Sequence, residues 1–184
     1  MAQNIPPGRR TADLLIGRVS VPGAVYFLTL CEAKRLPRLT TPAVAAAMRE
    51  ALNQLQQCGD FLLVAATVMP DHVHLLGRLG PRLSLSRVVG KLKSVTRRPL
   101  SDAGACWQEN YYDHRLRDEN KLEPFARYIF MNPYRAKLTE RDKSWPFWMH
   151  WGDTRFQFEE AINSAGIVPA PWLEETPPEG TSDL

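Results

Sequence analysis

No hydrophobic run in this sequence approaches the ~20 residues that a membrane-crossing helix needs. That excludes an integral helical membrane protein. The opening residues, MAQNIPPGRR, lack the apolar core of a secretion signal, so the expected location is the cytoplasm. Cysteine is scarce. Cys31, Cys58 and Cys106 are scattered, with no CxxC pair and no zinc spacing, which excludes a disulfide framework and a zinc finger. Free buried thiols in a reducing compartment are expected instead. No segment repeats. Two stretches lack charge of one sign. Residues 78–98 contain no acid but hold Arg78, Arg82, Arg87, Lys91, Lys93, Arg97 and Arg98. Residues 156–184 contain six acids and no Lys or Arg. The net charge of the whole, +3, is too small to imply a nucleic-acid partner; its distribution says more.

The sequence has enough apolar residues, 44%, for a full core. Residues 24–30, AVYFLTL, read as a buried strand. A helix follows over 40–59, with Thr41 as cap, Pro42 in its first turn and Gly59 as its stop. Strands are predicted over 61–70 and 72–79, joined by a turn at Pro70-Asp71. A second helix spans 84–98, capped by Ser84 or Ser86 and ended by Pro99. A fourth strand lies within 106–117. A third helix runs over 120–138, with Asn120 and Glu123 as a capping box. The order β-α-β-β-α-β-α predicts an α+β, ferredoxin-like antiparallel sheet with an added C-terminal helix. Residues 1–20 form a basic arm, 21–150 the domain, and 151–184 an acidic, Pro-rich tail; little regular structure is expected from 145 to 184.

MPDHVHLL, residues 69–76, carries two of the four histidines one residue apart. Side chains alternate along a strand, so His72 and His74 share a face and lie close enough to share a divalent metal. Two imidazoles do not complete a site; a catalytic metal takes a third protein ligand and keeps open positions. Asp71, His114 and Asn132 are the candidates. Asp71, placed in a strand, faces away from both histidines and reads better as a turn residue. Tyr128 and Asn132 are four apart on the predicted third helix and share a face. Asn132 followed by Pro133 is a poor helix interior, and such local conflicts concentrate where function requires them.

MPDHVHLL resembles the HUH motif of the single-tyrosine HUH nucleases, and ARYIFMNPYRAKL (126–138) resembles their tyrosine helix. With WQENYYDHRLR between them, the two segments resemble the REP-associated tyrosine transposases, over roughly residues 20–150. The resemblance implies a ferredoxin-like nuclease core. It implies that His72, His74 and Asn132 hold Mg²⁺ or Mn²⁺ and that Tyr128 is the nucleophile, forming a 5′-phosphotyrosine bond. The implied substrate is single-stranded DNA with REP-type hairpins. Lys91, Lys93, Arg97 and Arg98 would hold hairpin phosphates, and Arg9 and Arg10 would read a flanking tetranucleotide. The resemblance leaves His114 without a role beyond orienting its strand or turn.

Two rivals stand beside this reading. One is a non-catalytic module of the same fold that binds single-stranded DNA or RNA hairpins. The other is a metal-dependent phosphohydrolase that uses activated water. A monomer is expected, since no dimer-forming element stands out. The opposite charges of 78–98 and 156–184 raise one further expectation, that the acidic tail folds over the basic helix and competes with DNA.

Overall fold

A computed structural model describes residues 20–117, 122–152 and 155–181. Arg9, Arg10 and the Asn120 cap lie outside the described residues. In chain order the elements are β1 (Val25–Cys31), α1 (Pro42–Gln57), β2 (Phe61–Val68), β3 (His72–Leu79), α2 (Leu85–Asp102), β4 (Tyr112–Leu116), α3 (Leu122–Arg135), β5 (Trp148–His150) and α4 (Gln157–Ala165). A 3-10 turn follows at Ala170–Leu173. The sheet order is β4-β1-β3-β2-β5, and every neighbouring pair is antiparallel. The first four strands and two helices make the expected ferredoxin-like arrangement, and β5 extends it at one edge.

The sheet is covered on both faces, which is why β1 is buried throughout. Tyr26, Leu28 and Leu30 point to one face with Val73, Leu75, Ala66 and Val68, and meet the apolar stripes of α1 and α2. Val25 and Phe27 point to the other with Leu76, Ala65 and Leu116, beneath Phe125, Ala126, Tyr128 and Ile129 of α3. The alternation of β1 therefore sorts two cores, and α3 lies on the opposite face from α2. Gly59 ends α1 as expected, in the left-handed conformation (φ 65°) that glycine adopts without strain.

Three expectations are corrected. Pro99 does not end α2, which continues to Asp102. Leu100 is fully buried in the α1–α2 core, and its burial holds the last turn despite the lost donor. The fourth strand is shorter than 106–117. Residues 106–111 instead form an irregular approach, with a single bridge between Trp107 and Glu32. Lys93 donates to the carbonyls of Gln108, Glu109 and Asn110, at 2.7, 3.0 and 3.3 Å, which diverts them from a ladder. The third correction is the C-terminal segment, which is folded. β5 pairs with β2, and Phe156, Phe158 and Val168 are buried. Glu123 of α3 accepts the Phe158 N–H at 3.1 Å, satisfying a free donor at the start of α4.

Candidate active site

The register places five side chains in one row on the α3 face: Tyr112 of β4, Thr29 of β1, His74 of β3, Thr67 of β2 and Trp148 of β5. His72 lies two residues before His74 on the same face, at the start of β3. His74 is 1% exposed and His72 8%, so the pair opens to solvent on the His72 side.

Each ring is held through Nδ1. Asp71 Oδ1 lies 2.7 Å from His72 Nδ1. Thr29 Oγ1 lies 2.9 Å from His74 Nδ1. The two Nε2 atoms converge at 3.1 Å. Burial, reinforced by the neighbouring His72, holds the His74 imidazole well below the usual histidine range, so it is neutral; a hydrogen bond with the Asn132 side chain acts the other way. Asp71 therefore does not turn away from both histidines. It precedes the strand, where alternation does not apply, and its carboxylate bridges His72 and Arg35, whose Nε is 2.7 Å from Oδ2. Arg35 itself adopts a left-handed backbone (φ 60°), unusual for a residue with a side chain, and donates to Cys31 Sγ at 2.9 Å.

On α3, Asn132 Nδ2 donates to the Tyr128 carbonyl at 2.8 Å. That tie spends the amide N–H at the turn weakened by Pro133 and leaves Oδ1 free to face His74. The Tyr128 ring centroid is 5.8 Å from that of His74 and 6.0 Å from that of Phe27. The Arg135 guanidinium carbon lies 5.7 Å from the Tyr128 centroid. The fold thus brings His72, His74, Asn132 and Tyr128 together. Among the described residues, no three His, Cys, Asp or Glu side chains are grouped to hold a metal. Asn132 lies outside that set, and its amide oxygen completes a donor trio with the two imidazoles. Such a trio suits a divalent cation, because both Nδ1 atoms are tied and both Nε2 atoms point inward.

His114 does not join them. From β4 it pairs with Phe27 of β1, stacks on Phe125 at 5.6 Å and packs against Gly180. The basic helix is divided. Lys91 is tied to buried Asp60 at 2.7 Å and Lys93 to three carbonyls, while Arg97 and Arg98 are exposed. Although α2 covers the other face, Lys93 reaches the end of the sheet that carries His72. The loop it holds bonds the Cys31 carbonyl through Gln108 N–H, and Cys31 is the register partner of His72.

The described part of the acidic segment, to Thr181, does not fold over α2. It crosses α3: Glu175 pairs with Arg127 at 2.9 Å, and Arg135 donates to the carbonyls of Trp172 and Glu175 at 2.9 and 3.2 Å. Tyr112 donates its hydroxyl to the Gly180 carbonyl at 2.9 Å. Burial, then Asp113 and Tyr128, push the Tyr112 phenol up, which keeps that donor protonated. The sequence reading missed Thr29, Arg35 and Arg135. Thr29 follows the β1 alternation, but only the register reveals that it backs His74.

Residues 20–132 match the family model described as "Transposase IS200 like". A Haemophilus influenzae protein named as a REP-associated tyrosine transposase is 27% identical over 139 residues, 68% of this chain and 78% of the relative. A solved structure of a REP-associated tyrosine transposase bound to a REP hairpin superposes with a TM-score of 0.62. It is 20% identical, and the match covers 90% of this chain and 92% of the other.

Proposed function

This chain belongs to the IS200-like transposase family, and we propose that it cuts and rejoins single-stranded DNA at REP-type hairpins, with Tyr128 as nucleophile. The observation that carries this reading is the position of Tyr128: its ring lies beside His74, on the helix turn that also brings Asn132 to His74. The hairpin enters from the relatives, one named as REP-associated and one solved with a REP hairpin.

His72, His74 and Asn132 would hold Mg²⁺ or Mn²⁺. When bound, the cation supplies positive charge beside the scissile phosphate. The chain's own residues do the rest. The tyrosine oxygen attacks phosphorus; the new Oη–P bond replaces the P–O3′ bond. The phenol proton is lost and the departing 3′ oxygen gains one, so the step is proton-neutral. Arg135, near the Tyr128 ring, favours the negative charge that develops on the phenol oxygen. Asp71 and Thr29 fix the imidazoles from behind. A 3′-hydroxyl attacking the adduct reverses the step and joins strands, since no phosphodiester energy has been lost to water.

The test is a denaturing gel of end-labelled hairpin DNA incubated with the protein and Mn²⁺, repeated with Tyr128→Phe. A protein-linked band that the substitution abolishes is the expected result. Cleavage that survives it would indicate water as nucleophile. Hairpin binding without cleavage would indicate a binding module.

A further inference from the structure

His74 is flanked by two threonines in direct register, Thr29 on β1 and Thr67 on β2. Directly opposed residues on one sheet face hold their Cβ atoms about 4.5–5.5 Å apart, so both hydroxyls stand beside the imidazole. Thr29 is engaged, at 2.9 Å from Nδ1. Thr67 is not. It is 0% exposed and its Oγ1 has no hydrogen-bond partner among the described residues. An unpaired buried hydroxyl is costly and uncommon. The position asks for no polarity on packing grounds, because its same-face neighbours Ala65 on β2 and Trp148 opposite it on β5 belong to the apolar core beneath α3. A valine would fill the same volume. No described residue supplies a partner for the Thr67 hydroxyl, which stands on the side of His74 away from Thr29.

We propose that Thr67 is a positioning residue of the cation site, its hydroxyl hydrogen-bonding a water in the shell around the ion held by His72, His74 and Asn132. The inference rests on the metal reading above. It gives the two threonines distinct jobs. Thr29 sets the ring of His74 from behind, and Thr67 anchors solvent on the ion from the side. The hydroxyl both donates and accepts, so it serves a water in either orientation.

Mn²⁺ affinity, measured by calorimetry on the full chain without DNA, tests this directly. Thr67→Val is expected to weaken binding about tenfold, the lower end for outer-shell partners. Its metal-free melting temperature is expected to be unchanged or higher, because an unsatisfied hydroxyl is removed. Thr67→Ser keeps the hydroxyl and is expected to bind Mn²⁺ within about twofold of wild type, against the tenfold loss in valine. Wild-type affinity in Thr67→Val would overturn the proposal. Equal losses in the serine and valine variants would also overturn it, by assigning the effect to packing. If Thr67→Val fails to fold, the serine variant is compared with Thr67→Ala, and equal affinities in that pair would overturn it. Absence of Mn²⁺ binding by the wild-type protein, with His72→Ala identical to it, would instead remove the metal reading itself and the proposal with it.

Discussion

The Nε2 atoms of His72 and His74 face one another at 3.1 Å, each ring held through its other nitrogen. Two such atoms meet at this distance only with a shared proton or cation between them. The orientation of His72 depends on Asp71, a residue outside the donor trio. Asp71→Ala is therefore expected to lower Mn²⁺ affinity about 10-fold or more, as read by calorimetry. Asp71→Asn should lose less, because its side-chain oxygen still accepts from Nδ1. Unchanged affinity in the alanine variant would show that the strand alone sets the ring.

The cations of α2 divide into two groups. Lys91 serves buried Asp60, whereas Arg97 is exposed. Arg97→Ala is expected to weaken hairpin binding and to reduce the salt slope of log K by about 1, the signature of one lost phosphate contact. Lys91→Ala should leave the slope unchanged and lower thermal stability. Measuring affinity at several salt concentrations separates them. A slope change for Lys91→Ala would mean that Asp60 releases it to DNA.

Much of this was legible because it rests on short-range periodicity. The alternation that pairs His72 with His74, and the four-residue spacing of Tyr128 and Asn132, hold within one strand and one helix. What was hidden depends on distant partners. Asp71 orients His72 because the turn escapes strand alternation. The last turn of α2 survives Pro99 because Leu100 is buried against α1. Three residues of β5 have too little pattern to read, and their register with Ala65–Thr67 depends on a pairing across some eighty positions.

The same point applies to the C-terminal segment, whose acidity suggests a solvated tail. Phe158 is 2% exposed and meets Phe130 and Phe156 at 5.3 Å each. Phe158→Ala is expected to cost about 3 kcal/mol or more, the range for a buried aromatic. Denaturant unfolding measures it. A cost under about 0.5 kcal/mol, typical of surface positions, would mean that this segment is not part of the cooperative core.

Asp60 provides an acid-side test of the fold. Its side chain is 6% exposed and lies 2.7 Å from Lys91 and 2.9 Å from Arg82. The Lys91 hydrogen bond, opposed by burial, leads the causes that hold its carboxyl below the ordinary value of 3.8. A carboxyl depressed in the folded state contributes stability above its unfolded pKa and loses it as pH falls through the folded one. Asp60→Asn is expected to destabilise the protein by about 1–2 kcal/mol at pH 7, a charged hydrogen bond discounted because both partners are partly solvated. The gap between wild type and variant should hold down to about pH 4, the ordinary range for an unfolded aspartate, and close below it. Chemical denaturation across pH 2–7 reads both curves. A gap that persists at the lowest pH would mean that Asp60 acts through its shape and neutral hydrogen bonds rather than its charge.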